Sequence, residues 1–357
     1  MRAHTLLLAA AAGLVAASAT AEPATALEER SFTVVGTWGQ LAHWRERESK
    51  FWNETLPAAS GGKLTANAKP LTELGLDGQK IMRDVRSGAF DFAHGVFLYV
   101  SGDSPVIEGA DLAGMVPDLE TQRKVMEVYK PVLNKEFNEK YNATILMLYA
   151  WPRSHMYCNL PEGTGSEIDL EVLKGLKIRS YGASLADFIG GALEAQPVPV
   201  AFAEVPQALE RGVIDCGVTG TSSAYDAKWY QMADKELRIP VGYTASFLAV
   251  SNNVWNELDE ETKAFITAEV AKLEDEMWAG TAREDSRGMD CNTSGPCDTE
   301  IGGMTTVTLT PEAQAALKQS VNDTVIQSWA ARCKARSETC VADWNATIGA
   351  LLGYQAN

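Results

Sequence analysis

Residues 173–182 read LKGLKIRSYG and place an arginine at the end of a short predicted strand. Apolar and basic residues alternate from Leu176 to Arg179, which is the period-2 pattern of a strand. The sequence Ser-Tyr-Gly then interrupts the strand, and an apolar periodic segment follows. An arginine in this position is either a solvated surface charge or a group directed at an anion. The rest of the chain has to distinguish these two roles.

The chain has the composition of an acidic globular protein. It contains 357 residues, of which 46% are hydrophobic, and at about 150 residues per domain this length favours two domains. The formal net charge of −16 argues against nucleic acid or anionic lipid as a partner. If the ligand is also an anion, local basic residues must overcome this repulsion, so each inward-facing arginine is informative.

The N-terminus has the three parts of a secretory signal peptide. Arg2 precedes an apolar run at 6–15, and small residues at 19–21 precede Glu22. We therefore expect cleavage after Ala21. The apolar run is too short to span a bilayer, and no later stretch is long and uncharged enough, so the mature protein is expected to be exported without membrane insertion.

Six cysteines follow this leader, and an even number in an exported chain favours disulfides. Two pairs bracket short loops and leave one long-range pair, so the expected disulfides are Cys291–Cys297, Cys333–Cys340 and Cys158–Cys216. Sequence alone permits all fifteen connectivities of six cysteines. Zinc is the competing interpretation, but no C-x-x-C spacing is present and few histidines lie outside the leader. No metal and no other cofactor is therefore expected.

Predicted strands and helices alternate along the first part of the chain. The predicted strands are 32–35, 64–68, 90–93 and 143–150, and the predicted helices are 44–56, 77–87 and 117–141. This alternation predicts a mostly parallel sheet with helices on both faces.

The same alternation restarts further along. The predicted strands here are 176–179, 197–200 and 213–217, and the predicted helices are 184–194 and 203–211. An extended segment at 241–250 can return between the two units, and a long acidic helix follows from about 258 to 287. Several crossings between two lobes form a hinge architecture. We expect a signal peptide at 1–21, lobe I at 31–150 plus about 246–275, and lobe II at 151–245 plus about 276–357.

The sequence contains none of the common catalytic motifs. G-x-S-x-G, H-E-x-x-H, Walker and G-x-G-x-x-G patterns are all missing from it. Its carboxylates fall mostly on solvated helix faces such as 257–261. An exported hydrolase that uses clustered carboxylates stays the alternative function, because the spacing of such a pair is spatial.

Three blocks of sequence and a short aromatic element follow one another in this part of the chain. They are LKGLKIR at 173–179, PVPVAFAEV at 197–205 and ALERGVID at 208–215, and Lys-Trp-Tyr follows at 228–230. Together they resemble the solute-binding proteins of tripartite ATP-independent periplasmic (TRAP) transporters, in which the last element reads Lys-Phe-Tyr. Residues 71–93 also resemble the family's helix-then-strand element. With the leader, the length and the late helix, the resemblance covers essentially the mature chain.

This resemblance implies a periplasmic-binding-protein-like, Venus flytrap fold of α/β class, with a hinge and a long interlobe helix. It implies a periplasmic receptor, not an enzyme, that closes on a small organic acid and delivers it to the TRAP membrane permease, with a monomer expected. The arginine at the Arg179 position binds the ligand carboxylate in this family. A guanidinium fork suits a carboxylate, and free N–H groups near 182–184 would add to the attraction.

Two further positions, one threonine and one arginine, depart from the family pattern. Thr219 stands where a ligand-contacting asparagine is usual, and its hydroxyl can still donate. Arg153 is the nearest match to a second family arginine, and it is either a ligand contact or an interlobe salt bridge.

The remaining candidates are one family match and several loop residues. Phe202 matches a family position near the ligand. Loops at strand ends, where open α/β sheets bind ligands, supply the others: Trp38, His94, Trp151, Tyr181 and Tyr225. The aromatic members are either ligand contacts or packed supports of the cleft. So many aromatic rings would suit a ligand with an apolar or aromatic body, whose identity the sequence leaves open.

Overall fold

The computed structural model of the protein describes residues 27–76 and 78–357. The predicted signal peptide, residues 1–21, and its cleavage after Ala21 lie outside the described residues. Within them, no helix is both long and apolar enough to span a membrane.

The described residues form one mixed sheet of ten strands. Its strands are β1 Arg30–Gly36, β2 Leu64–Pro70, β3 Phe92–Val96, β4 Ala143–Cys158, β5 Glu167–Ile168, β6 Lys177–Ser180, β7 Gln196–Pro199, β8 Cys216–Gly220, β9 Lys235–Ser251 and β10 Thr305–Leu309. The order is β2-β1-β3-β9-β4-β8-β6-β7, and β10 lies beside β9 and β5. The outer pairs are parallel, whereas β9 and β4 in the centre run antiparallel to each other.

Helices cover both faces of this sheet. The α-helices are α1 Leu56–Ala59, α2 Ile81–Ser87, α3 Phe97–Val100, α4 Pro105–Glu108, α5 Leu119–Tyr141, α6 Ala183–Asp187, α7 Val205–Glu210, α8 Thr221–Asp226, α9 Asn252–Trp255, α10 Glu260–Asn292, α11 Pro311–Ser320, α12 Gln327–Lys334, α13 Cys340–Trp344 and α14 Ala350–Leu352. Shorter π-helical and 3₁₀ segments connect several of them. The π-helical segments His43–Glu48 and Phe51–Thr55 lead into α1, so residues 43–59 are helical throughout.

The two longest helices begin at aspartate caps. Asp118 accepts a hydrogen bond from the N–H of Thr121 at 2.8 Å, and Asp259 accepts one from Thr262 at 2.6 Å. Such caps satisfy N–H groups that have no partner within the helix. They explain why α5 and α10 start directly after these residues.

The first half of the sheet carries two apolar cores, one on each face. Val34 packs on the same side as Leu248, whereas the neighbouring Val35 and Phe247 belong to the core on the other side. The alternation follows from the strand period of two. α10 supplies Ile266, Val270 and Leu273 to the first core, and α5 supplies Val125, Tyr129 and Leu133 to the second.

Two central strands connect the halves of the molecule. β4 extends to Cys158 and β9 begins at Lys235, so both are longer than the predicted segments 143–150 and 241–250. Their pairing register breaks between Ala150 and Arg153, which is next to the predicted lobe boundary. Register breaks bend strands, so this crossing is a natural place for a hinge.

The C-terminal helices contact both sides of this crossing. Trp329 Nε1 donates to Pro105 O at 2.7 Å, and Trp344 Nε1 donates to Gly109 O at 2.9 Å. Arg332 also donates to Asp187, which belongs to the other half of the sheet. The residues predicted as the end of lobe II are therefore packed against residues 105–109 as well, and the division of the chain into lobes stays a prediction.

Three disulfides are present in the described residues, and they follow the expected pairing. Cys158–Cys216 joins β4 to β8, Cys291–Cys297 closes a loop after α10, and Cys333–Cys340 joins α12 to α13. The described residues contain no free cysteine and no group of side chains suited to hold a metal ion.

Candidate ligand-binding cavity

A cavity of about 40 Å³ lies where the ends of β3, β6 and β8 meet the loop that follows β1. This volume is well above the roughly 10–15 Å³ that a cavity needs to hold one water molecule. The lining residues are Trp38, Leu41, Val96, Tyr99, Trp151, Arg179, Tyr181, Phe202, Thr219, Gly220, Ser223 and Thr244. The cavity adjoins an outer groove of about 690 Å³, with which it shares Trp38, Tyr99, Tyr181 and Phe202.

Arg179 is the charged residue of this cavity, and it is 1% exposed. Its Nε donates to Val200 O at 3.0 Å and its Nη1 to Val218 O at 2.7 Å. Nη2 lies 3.4 Å from the hydroxyl of Tyr99. All of these acceptors are neutral, and no Asp or Glu among residues 27–76 and 78–357 forms an ion pair with Arg179. The positive charge is thus buried without a counter-ion from the described chain.

Aromatic rings surround the guanidinium. Its Cζ lies 4.3 Å from the ring centre of Tyr181 and 5.7 Å from that of Phe202, which are distances for cation–π attraction. Burial raises the pKa of Tyr181. The phenol therefore stays neutral at ordinary pH and does not balance the charge of Arg179.

Trp38, Trp151 and Phe202 form the apolar walls. The ring of Trp38 lies 6.0 Å from that of Trp151 and 5.8 Å from that of Phe202, measured between centroids. Trp151 Nε1 donates to Ser246 Oγ at 2.7 Å, so its indole is held in place and presents carbon atoms to the cavity. The walls suit a flat or compact apolar body.

Four hydroxyl groups, of Tyr181, Thr219, Ser223 and Thr244, add a polar edge. Tyr181 and Thr244 share a hydrogen bond of 3.3 Å between their hydroxyl oxygens. The hydroxyls of Thr219 and Ser223 line the same cavity and have no hydrogen-bond partner within the part of the chain that the structure describes. These two groups are available to a neutral polar function of a ligand.

A carboxylate behind the wall fixes the loop that carries Trp38. Glu48 is fully buried, and its Oε2 accepts from the N–H of Thr37 at 2.8 Å while Oε1 accepts from the Thr37 hydroxyl at 2.9 Å. The neighbouring Trp38 is thereby held against the cavity. The sequence analysis missed Glu48, because it lies on a helix whose charges resemble those of an ordinary solvated face.

Six of the nine predicted ligand residues therefore share one cavity: Trp38, Trp151, Arg179, Tyr181, Phe202 and Thr219. Tyr99, Ser223 and Thr244 also line the cavity and were not predicted from the sequence. Ser223 could have been predicted, because it is a polar residue in the first turn of the helix that directly follows β8. Tyr99 and Thr244 carry no local signal, because tertiary folding alone brings them to Arg179.

His94 lies elsewhere because β3 is longer than predicted. The strand continues to Val96, which lines the cavity, whereas His94 lies inside the strand and is fully buried. Its Nε2 accepts from Trp52 Nε1 at 3.0 Å. Burial lowers the pKa of His94, so the imidazole is neutral and acts as an acceptor in the core.

Arg153 and Tyr225 also lie outside the cavity. Arg153 Nε and Nη2 both donate to the Tyr243 hydroxyl, at 3.1 and 2.7 Å, in a separate groove. Arg153 also lies 3.8 Å from Asp285 on α10. Both residues belong to predicted lobe II, so this pair is a salt bridge within one predicted lobe and not the interlobe salt bridge considered for Arg153. The hydroxyl of Tyr225 contacts Thr299 and the Glu300 carbonyl near the Cys291–Cys297 loop.

The N–H of Ser184, in the first turn of the helix after Arg179, is already occupied. The N–H of Ser184 donates to Glu108 Oε1 at 2.6 Å, and Arg332 donates to the other oxygen of that carboxylate at 3.1 Å. The expectation that this helix start attracts a ligand anion is therefore wrong for Ser184. A carboxylate of the chain itself, 76 residues away in sequence, takes the position.

Residues 36–332 match the family described as bacterial extracellular solute-binding protein, family 7, or DctP. The chain belongs to this family. The predicted resemblance to TRAP solute-binding proteins is thereby confirmed. The family consists of solute-binding proteins, so this chain is not an enzyme, and the hydrolase alternative receives no support.

Relatives and solved structures agree with this assignment. The sialic acid-binding periplasmic protein SiaP of Vibrio cholerae is 22% identical over 264 residues, which are 73% of this chain and 78% of SiaP. A Bordetella pertussis extracytoplasmic solute receptor binding pyroglutamic acid has a TM-score of 0.77 at 21% identity, covering 89% of this chain and 100% of that one. A TRAP periplasmic solute-binding protein of Desulfovibrio salexigens with bound orotic acid has a TM-score of 0.78 at 15% identity, covering 90% and 99%. These structures confirm the two-lobed α/β fold.

Proposed function

We propose that this protein is the periplasmic receptor of a TRAP transporter, that it binds a small organic acid in the cavity around Arg179, and that it delivers the acid to a membrane permease. In this proposal the leader is cleaved after Ala21 and the mature protein acts as a monomer. Trp38, Trp151, Tyr181, Phe202 and Thr219 complete the binding site.

One observation carries the proposal: Arg179 is buried among neutral groups, and no carboxylate of residues 27–76 and 78–357 is its partner. A buried charge is costly unless an opposite charge and hydrogen bonds compensate for it. A ligand carboxylate that reached the remaining guanidinium N–H groups would supply both, through charge-assisted hydrogen bonds. The relatives described above bind sialic, pyroglutamic and orotic acids, which are all organic acids.

We expect the two predicted lobes to close on the ligand about the crossing of β4 and β9. The cavity is lined from both predicted lobes, with Trp38 and Tyr99 on one side and Arg179 and Phe202 on the other. A ligand that contacts both sides binds the closed form more tightly than the open form. It then shifts the equilibrium towards closure by that difference in affinity.

Mass spectrometry of the small molecule that copurifies with the protein tests this function. We expect an organic acid that is recovered chemically unchanged after incubation. At a concentration one hundred times its dissociation constant it should add about 2.7 kcal/mol to the free energy of unfolding. A bound molecule without an acidic group, or the appearance of a reaction product, would contradict the proposal.

A further inference from the structure

We infer that the ligand is a compact monocarboxylate, with neither a second carboxylate nor a free ammonium group. This inference rests on the proposed function and narrows its ligand class. It follows from the single arginine that lines the cavity and from the lack of any other charged lining residue in the described chain.

The cavity offers one charge to a ligand. Of its lining residues in the described chain, Arg179 alone is ionised, since the others are apolar, hydroxyl-bearing or glycine. One guanidinium balances one carboxylate. A second carboxylate in the same small space would be buried without a partner, and an unpaired buried charge is strongly unfavourable.

The described residues of the outer groove offer no counter-ion to a second carboxylate of the ligand. Its lining contains Glu204, which is exposed, and no lysine or arginine among the described residues. The chain as a whole has a net charge of −16, so the surrounding field is also repulsive to anions. A dicarboxylate that extended from Arg179 into the groove would meet a like charge there.

A free ammonium group would also lack a partner. No carboxylate among the described residues lines the cavity. The nearby acids already have protein partners: Glu48 accepts from Thr37, and Asp111 accepts from the N–H of Ala245 at 3.0 Å. Asp111 adjoins a hollow of about 10 Å³ behind Tyr181, which is room for one water molecule at most.

The neutral groups of the cavity describe the body of the ligand. Trp38, Trp151 and Phe202 offer apolar surface on several sides, which suits a small ring. Thr219 and Ser223 offer hydroxyls at one edge, which suits one neutral polar group such as an amide, a carbonyl or a hydroxyl. We therefore place a ring or branched apolar body beside the carboxylate, with a single polar edge.

Calorimetry with four compounds on one ring tests the inference. Cyclopentanecarboxylate is the monocarboxylate, cyclopentane-1,1-dicarboxylate adds a second carboxylate, 1-aminocyclopentanecarboxylate adds an ammonium, and cyclopentanecarboxamide has no charge. We expect the monocarboxylate to bind about a hundredfold or more tightly than the dicarboxylate and the amino acid, because either added charge would be unpaired.

The four compounds also distinguish failure of the proposed function from failure of the inference about ligand charge. If the amide binds as tightly as the monocarboxylate, or if neither binds at millimolar concentration, recognition of a carboxylate by Arg179 is wrong and the proposed function fails with it. If the monocarboxylate binds better than the amide but the dicarboxylate or the amino acid binds equally well, the proposed function stands and this inference is overturned.

A variant with an added cation provides an independent readout. Thr219→Lys places a second positive charge at the cavity, whereas Gln196→Lys adds the same charge at an exposed position on β7. We expect Thr219→Lys to lower the preference for mono- over dicarboxylate by about tenfold or more, and Gln196→Lys to leave it unchanged. An unchanged preference in a folded Thr219→Lys variant would contradict the charge argument, and the ligand series on the wild type decides the question if that variant does not fold.

Discussion

Arg179 and Arg47 are both buried, yet they lie in opposite electrostatic surroundings. Arg47, 4% exposed, forms an ion pair with Glu284 of α10, which is itself 7% exposed. Arg179, 1% exposed, meets the neutral acceptors Val200 O, Val218 O and the Tyr99 hydroxyl. Glu284 balances the first charge, whereas none of the residues that the structure describes supplies a counter-ion for the second. The lack of a counter-ion, rather than burial, therefore marks the arginine that is suited to a ligand.

The largest expected effects come from removing each arginine. Arg47→Ala leaves Glu284 buried with His43 as its neighbour, at 3.3 Å, and burial lowers the pKa of His43 to about 3, so this ring is neutral. Loss of the charged partner typically costs about 3–5 kcal/mol, so urea unfolding should show a loss of this size. We expect its ligand affinity, measured on the folded fraction, to change far less. A variant that keeps wild-type stability would show that Glu284 is adequately solvated without Arg47.

Arg179→Ala should show the opposite profile. A bound carboxylate would lose its buried partner at a similar cost of about 3–5 kcal/mol, so affinity for the copurified acid should fall at least a hundredfold in calorimetry. The fold should survive, because no carboxylate in the described part of the chain is paired with this side chain. Arg211→Ala, which removes the same charge from an exposed position, is the control and should bind normally. Wild-type affinity of a folded Arg179→Ala would return this arginine to a structural role.

Arg179→Lys tests the geometry of the contact separately from its charge. An ammonium keeps the charge but cannot form the planar, two-point contact of a guanidinium. Loss of one charge-assisted hydrogen bond of about 1.5 kcal/mol or more predicts affinity at least tenfold below wild type, yet above that of Arg179→Ala. Calorimetry on the three proteins gives this ranking. Equal affinity of the lysine variant and the wild type would indicate that charge alone is recognised.

Asp111 is a third buried charge-bearing group, and its environment predicts a pH effect on stability. Burial raises its pKa well above the usual range, the nearby Glu108 charge raises it further, and the hydrogen bond from Ala245 opposes this. The folded state therefore binds the Asp111 proton more tightly than the unfolded state. Its contribution is most favourable below the unfolded pKa of about 4 and is lost as the pH rises through the folded pKa.

Asp111→Asn should remove this dependence, because an amide keeps an acceptor for the N–H of Ala245 without acquiring charge. We expect the variant to unfold at higher urea concentration than wild type near pH 8 and at a similar concentration near pH 4. The difference should grow by at most about 1.4 kcal/mol per pH unit, the limit for one proton. A difference that is constant between these pH values would show that Asp111 does not titrate differently in the two states.

Sequence reasoning succeeded where the signal is local or repeated over a motif. The strand before Arg179 and the blocks that follow it are patterns of neighbouring residues, and they led to the family and to Arg179 itself. The pairing of Cys158 with Cys216 followed from two short-range pairs and from the exported compartment that the predicted leader implies. Such predictions depend only on a few neighbouring residues, or on the cysteines that remain once the short-range pairs are assigned.

Sequence reasoning failed where distant segments decide the outcome. Glu108 reaches Ser184 across 76 residues and occupies an N–H that a ligand was expected to use. β3 was predicted to end at residue 93, but it ends at Val96. The prediction therefore assigned His94 to the site and overlooked Val96, which lines the cavity. Strand ends are set by pairing with β1 and β9, so their positions depend on neighbours that the local pattern does not contain.

Thr219 should give the smallest effect, since it contributes a neutral hydroxyl next to the charge of Arg179. Valine has nearly the shape of threonine, so Thr219→Val removes the hydroxyl while the packing of β8 is kept. One neutral hydrogen bond contributes about 0.5–1.5 kcal/mol, so affinity for the copurified acid should fall by tenfold at most. Ser223→Ala, at the neighbouring hydroxyl, is the matched comparison in calorimetry. If the ligand carries one polar group, one of these two variants should weaken binding and the other should not. Equal losses in both would show that both hydroxyls bind the ligand, whereas unchanged affinity in both would leave Arg179 and the aromatic walls as the whole basis of recognition.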